Sequence, residues 1–273
     1  MHAPTPPTSL PRRPFDRSSF VLSATLAILA GLTIYGFTTF DTNGVDMDMA
    51  LDMLGDNAKT LFFAPGLSNV SIEGLLKNLG VTVALGFLTT VLGAVIGLAF
   101  ALASALNLAP VWLSVVVKAV TAVVRAVPTV LWVLIFAVSA GLGSVAAVLG
   151  MTFHSAGYLI KAYAESFEDV DAGSIEALKA SGADWWQVVG QVFLPSSRAA
   201  LISWTFLRFE INFSTAIAMG AAAGAGGIGF DMFMASGFYL NLREMGAFTY
   251  AILIFAVLLE YIATKLRTNI TQS

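Results

Sequence analysis

The sequence of 273 residues contains no cysteine, which excludes disulfides, thiolate nucleophiles and zinc–thiolate sites. Its two histidines, His2 and His154, leave little room for a histidine-ligated metal. Charge is scarce as well: 11% of residues are Asp, Glu, Lys or Arg, against about 25% in a soluble domain. A surface built from so few charges faces something other than water. The net charge of −3 is too small to argue for a nucleic-acid partner. What is abundant is apolar residue, 57% of the chain, with a mean hydropathy of +0.81. The class is an all-α polytopic membrane protein, in contact with lipid.

Apolar runs long enough to cross about 30 Å of hydrocarbon fall near residues 19–40, 78–106, 113–138, 142–163, 200–223 and 247–264. They are too long and too uniformly apolar for membrane strands, which alternate. Six transmembrane helices are therefore expected. The third and fourth are parted only by the short stretch 139–143.

Orientation follows from the distribution of Lys and Arg. Arg12, Arg13 and Arg17 precede the first run, and Lys118, Arg125, Lys161, Lys179, Arg198, Lys265 and Arg267 share its starting side. Only Lys59, Lys77 and Arg243 fall opposite, where 41–77 carries Asp41, Asp46, Asp48, Asp52, Asp56 and Glu73. Both termini are thus expected in the cytoplasm. Residues 1–18 read as a disordered Pro-rich tail, 19–40 as an N-terminal transmembrane helix and 41–77 as an acidic extracytoplasmic segment. A five-helix core follows over 78–273. Arg12-Arg13 faintly resembles a twin-arginine export signal, but the run behind it is too long and ends in no small-x-small cleavage site. A retained first helix is expected.

The longest polar stretch on the cytoplasmic side is the loop 164–198. Ser174 is a candidate N-cap, with Glu176 in the first turn where the helix dipole favours a carboxylate. Gly182 suits a left-handed helix end. Asp184 with Gln187 forms a candidate capping box for a second helix, which Pro195 should stop. Leu178, Trp185, Trp186, Val189 and Phe193 supply the apolar faces of this elbow, which as an amphipathic interfacial loop would also explain the tryptophans.

The loop resembles the EAA motif of ABC-importer permeases: Glu-Ala-Ala, three residues, Gly, nine residues, Ile-x-Leu-Pro. Here it reads Glu176-Ala177-Leu178, Gly182, and Val192-Phe193-Leu194-Pro195 at both spacings. The resemblance implies a coupling helix that docks in a groove of an ATP-binding subunit. It also implies that ATP and Mg²⁺ bind on that partner, because no G-x-x-x-x-G-K-[ST] occurs in these residues. From about residue 78 onward the chain is similar to phosphonate-importer permeases. The likeness is carried by Leu207 to Asn212 (Arg208, Glu210), Met219-Gly220, the glycine run, and Gly141, Gly143, His154, Gly157, Lys161 and Glu165. Arg125-Ala-Val-Pro128 also fits methionine-type importers, the alternative reading. The fold implied is that of a type I ABC-importer permease. Its partners would be two ATP-binding subunits, an extracytoplasmic substrate-binding protein and a second permease, either the same chain or a paralogue. Such a chain is a transporter subunit and not itself an enzyme.

Arg208 lies roughly 16 Å into the fifth span at 1.5 Å per residue, where a guanidinium costs about 2.5–3.5 kcal/mol. Arg208 and Asn212 share a helix face and Glu210 points elsewhere. Two readings stand for Arg208: an anion pathway shared with Asn212, or an interhelical ion pair with a carboxylate such as Glu210. His154, Tyr158, Lys161 and Glu165 form one stripe, with His154 either meeting a passing oxyanion or bonding a neighbouring helix. Pro128 should kink the third span by freeing the Val124 carbonyl. Gly224, Gly226, Gly227 and Gly229 match G-x-G-x-x-G literally, but they follow a membrane span and not a strand, so no dinucleotide site is expected. The run reads as a gate or as close helix packing, with a leucine at Gly226 forcing the helix ends apart.

Overall fold

The structure is a computed structural model that describes residues 17–40, 44 and 46–272, with side chains as far as Lys265. Arg12, Arg13, Asp41, the tail 1–16 and the Arg267 side chain lie outside the described residues. Contacts divide the chain into two units, one ending at Leu54 and one of Gly55–Ser273. The first holds α1 (Arg17–Thr39) and the beginning of α2 (Met47–Phe63), so the acidic segment carries a helix of its own.

The second unit continues with α3 (Ile72–Ser104), α4 (Val111–Ala126), α5 (Thr129–Ala140) and α6 (Ser144–Glu168). The elbow helices α7 (Ala172–Ala180) and α8 (Trp185–Val188) follow, then α9 (Leu194–Ala223), α10 (Gly227–Gly237) and α11 (Leu242–Gln272). No strand occurs among the described residues. Four helices are long and apolar enough to cross a membrane, and up to six spans result if each of two bent pairs counts as one. The six expected runs correspond to α1, α3, α4 with α5, α6, α9 with α10, and α11. α3 begins at Ile72, six residues ahead of residue 78, because Ser71 caps it by accepting the Gly74 N–H.

α6 is the central helix, buried along the face it lays on α3 and α9. Small residues set the approach: a Cβ on Gly93 or Gly97 of α3 would stand 2.8 Å from the Cβ of Ser155 or Leu159. Without hydrophobic drive between helices in lipid, such close backbone packing is what holds them. The outer faces stay apolar, as at Phe87, Val91 and Val95 of α3.

The expected kink at Pro128 is a full break, with α4 and α5 meeting at 89°. Proline cannot continue the ladder, and the carbonyl it frees at Val124 accepts the Trp132 indole N–H at 2.9 Å. Satisfying that carbonyl from a side chain lets so sharp a corner exist at low cost. At the far end, α11 is tied to 62–70 by hydrogen bonds that sequence inspection did not suggest. Glu244, almost wholly buried, accepts from the backbone N–H groups of Ser68, Asn69 and Val70. Arg243 donates to the Ala64 carbonyl and Tyr250 to that of Phe62.

Candidate functional site

The expected elbow is present, shorter than the loop 164–198 because α6 runs on to Glu168 and a new helix starts at Trp185. Its first cap is Asp171 and not Ser174: the Asp171 carboxylate accepts the Ser174 N–H at 2.8 Å and the Ser174 hydroxyl at 3.0 Å. These bonds, the backbone one foremost, hold the Asp171 carboxyl below the usual aspartate range. The earlier start puts Glu176 fifth in α7, and no acid sits in the first turn. A dipole role for Glu176 is thereby withdrawn, since the effect fades within one turn. Glu176, Ala177 and Lys179 are exposed and Leu178 is half-buried. Ile175, overlooked in the sequence, is the residue that anchors α7 to the core beside Phe167 and Phe193.

Gly182 takes φ +85°, the left-handed position expected of it. The capping box is also found: Gln187 N–H donates to Asp184 and the Asp184 N–H to Gln187, each at 2.8 Å. Trp185 donates its indole N–H to the Leu108 carbonyl at 3.0 Å, while Trp186 is 71% exposed. The elbow thus has a face packed on the core and a face left open.

Pro195 does not stop the helix. The chain runs helically from Trp185 to Ala223 through a π-helical turn, Val189–Phe193, in which Leu194 N–H reaches the Val189 carbonyl. A wider turn displaces the carbonyl a proline ring would strike, so Pro195 fits at the start of α9. Leu194 and Pro195 therefore join the elbow to α9 without a break in the helical run.

Within α9, Arg208 and Asn212 are buried and belong to one hydrogen-bonded seam. Arg208 Nε donates to Ser155 Oγ at 3.0 Å, and Ser155 donates to Asn212 Oδ1 at 3.0 Å. Asn212 Nδ2 donates to Thr90 Oγ1 at 2.8 Å, and Thr90 to the Gly86 carbonyl at 2.6 Å. The Arg208 guanidinium lies 5.2 Å from the centre of the Tyr158 ring, a cation–π distance. Ion pairs among the described residues join Lys59–Asp56, Lys118–Glu168 and Lys161–Glu165, and none includes Arg208. Ser155 and Thr90 were not singled out in the sequence, where hydroxyls among apolar residues carry no spacing signal. The half-buried His154 lies one turn from Tyr158, and its Nδ1 has no hydrogen-bond partner among the described residues.

Glu210 points away from that seam, as its spacing implied. It lines an open groove of about 620 Å³ with Thr129, Val130, Ile211, Ser214, Thr215 and Met219.

The glycine run makes the turn between α9 and α10, which meet at 48°. Gly224 closes α9 in the left-handed conformation, φ +63°, and Gly226 precedes α10 at φ +82°. Open space surrounds both, so a leucine at Gly226 meets strain and not the packing clash expected. The close approaches are at Gly227, whose Cβ would strike the Thr82 hydroxyl, and Gly229, whose Cβ would strike the Ile217 carbonyl. Thr82 in turn accepts the Ile228 N–H at 3.0 Å, and Asn78 donates to Asp231 at 2.6 Å, fastening α10 to α3.

Residues 93–272 match the family described as binding-protein-dependent transport system inner membrane component. Over 69% of its length the chain is 30% identical to the phosphate-import permease protein PhnE of Mycolicibacterium smegmatis, covering 35% of that protein. It is 33% identical to the phosphite transport system permease protein PtxC of Stutzerimonas stutzeri, covering 69% of this chain and 68% of that one. For the first two curated relatives it matches, the chain spans 35% and 58% of their length. Among solved structures, an inward-facing MetNI methionine ABC transporter superposes with a TM-score of 0.67 at 23% identity, over 74% of this chain and 99% of that chain. At that identity the likeness speaks for the fold.

Proposed function

Because this chain belongs to the family of binding-protein-dependent transport system inner membrane components, we propose that it is the permease of an ATP-driven importer for phosphonate or a related phosphorus oxyanion. It works with a second permease, either its own copy or a paralogue, with two ATP-binding subunits and with an extracytoplasmic binding protein. ATP and Mg²⁺ bind on the ATP-binding subunits. Both termini lie in the cytoplasm, and 41–77 faces the other side.

The observation that carries this reading is the elbow. Glu176, Ala177 and Leu178 sit on a helix whose inner side is pinned by Ile175 and whose outer side is open. Gly182 and the capping box fix its angle, and the joint at Leu194-Pro195 passes any displacement directly into α9. A short helix held this rigidly transmits a push and does not absorb it.

The solute path in this reading follows the groove beside Glu210, with Thr129, Ser214 and Thr215 as its polar lining, and the turn at 224–229 stands at one end of α9. Thr129 and Val130 begin α5, so its positive end opens on the groove. A carboxylate opposite that end keeps an anion from binding too tightly to leave. Arg208 and Asn212 act from behind, holding α9 to α6 and α3. Phosphorus oxyanions are preferred to methionine because the relatives named for phosphate and phosphite are 30% and 33% identical over 69% of this chain, whereas those named for methionine are 29–30% identical over 54–57% of it.

The test is uptake by proteoliposomes holding the chain with its genomic neighbour ATP-binding subunit and binding protein. ATP-dependent accumulation of methylphosphonate or phosphite is expected. Accumulation of methionine with neither of these would overturn the substrate assignment.

A further inference from the structure

The stripe His154, Tyr158, Lys161 and Glu165 on α6 has no part in the elbow, and only Tyr158 touches the seam. Its half nearest the elbow, Lys161 and Glu165, lines a cavity of about 240 Å³ together with Lys118, Thr121, Arg125 and Glu168. A smaller pocket of about 90 Å³ shares Arg125, Lys161 and Glu165 and adds Tyr158 and Trp204. The larger space equals the share of about eight waters at about 30 Å³ each.

The charges are arranged unevenly. Lys118 pairs with Glu168 at 2.8 Å and Lys161 with Glu165 at 2.9 Å. Arg125 lines both spaces and, among the described residues, forms no ion pair. The lining therefore carries one positive charge in excess. Gly157 brings the Arg125 stem against α6, since a Cβ there would lie 3.3 Å from Arg125 Cγ. That contact lays the stem of Arg125, itself an exposed residue, along a cavity already flanked by two ammonium groups. Each ammonium has three donors and spends one on its carboxylate. A fork beside two point charges is the donor set that suits tetrahedral, multiply charged oxygen clusters.

We propose that the α4–α6 cavity is a binding site for a phosphoryl oxyanion, with Arg125 as its principal ligand and Lys118 and Lys161 as flanking charges. A lipid headgroup and a free inorganic or organic phosphoryl anion present the same chemistry. The cavity lies at the end of α6 nearest the elbow, beside Lys161, Glu165 and Glu168. It shares no lining residue with the Glu210 groove, so the site stands whether or not the groove conducts solute.

The experiment uses the full-length chain in nanodiscs. Binding of labelled orthophosphate is measured in discs of phosphatidylcholine alone, and retention of phosphatidylglycerol is measured by native mass spectrometry in mixed discs. Saturable orthophosphate binding identifies a free anion as the ligand, and selective phosphatidylglycerol retention identifies a lipid. In either case Arg125→Gln should weaken the retained probe at least tenfold and Arg125→Lys less, because charge persists without the fork. Lys161→Gln, at a half-exposed position, serves as the second variant and should weaken it severalfold. Retention of neither probe by the wild-type chain, or equal retention by wild type, Arg125→Gln and Lys161→Gln, would overturn the proposal.

Discussion

The second elbow helix and the Arg208–Asn212 side of the seam lie on one helical run, Trp185–Ala223, yet elbow and seam are held by opposite means. In the elbow, Asp171 caps through Ser174 and Asp184 through Gln187, each partner three positions away. In the seam, Asn212 reaches Ser155 across 57 positions and Thr90 across 122. The elbow's caps close within its own residues, Ile175 and Trp185 tie its inner side to the core, and its outer face remains open. The seam exists only once three helices have met, and nothing of it is left exposed. A local device suits a part that must keep its form while it moves, and a long-range one suits a part that must not open.

The largest effect should come where two backbones touch. Gly229→Leu places a side chain against the Ile217 carbonyl. Overpacking of that kind costs about 3 kcal/mol at the upper end of its usual range. Monodisperse protein recovered after heating should fall sharply for Gly229→Leu and much less for Gly226→Leu, where open space surrounds the strained glycine. Equal losses would show that backbone strain, and not close approach, governs the turn.

Next is the seam itself. Asn212→Leu leaves Ser155 and Thr90 without their partner, at about 1–3 kcal/mol for buried polar groups so stranded. Arg208→Met removes one bond to Ser155 and should cost less. Since both act through Ser155, the double change Arg208→Met with Ser155→Ala should cost less than the sum of the singles. Strict additivity in thermal stability would mean that the three residues do not form one unit.

These two regions also mark how far the sequence could be read. The apolar runs, the glycine at 182 and the capping box were all readable, because each depends on neighbours within a turn or on uniform hydrophobicity. The opposed faces of Arg208 and Glu210 followed from helical spacing alone. The cap expected at Ser174 is found at Asp171, because both residue types cap well and the packing of Ile175 bears on where α7 begins. Pro195 was misread because its effect depends on the π-helical turn before it, which no single residue announces. Thr90, Ser155 and Glu244 give no signal in the sequence, because their partners lie tens to hundreds of residues away.

A smaller effect is expected in the elbow. Gly182→Ala forces an L-residue into the left-handed region at about 1–2 kcal/mol. Because the strain is local, hydrogen exchange should quicken in α7 and α8 while the α3–α6–α9 core keeps its protection. Loss of core protection would contradict the separation of the two regions.

The smallest effect concerns pH. The Asp171 carboxyl titrates below its ordinary value near 3.8, so its cap contributes above the unfolded value and is lost as pH falls through the lowered one. Exchange in α7, corrected for intrinsic rate, should rise only in that acid range for wild type. Asp171→Asn, which keeps an acceptor but cannot titrate, should show no such step.

The most direct measurement is made on Glu176→Lys in the assembled importer, following ATP-driven solute uptake together with recovery of the ATP-binding subunit by affinity pull-down. Glu176 is exposed on α7 and the seam lies far along α9, so the variant should fold and insert as wild type does. Coupling through the elbow predicts that uptake is abolished, whether the partner docks weakly or docks and hydrolyses ATP without transport. Full uptake with a normally stimulated ATPase would contradict it.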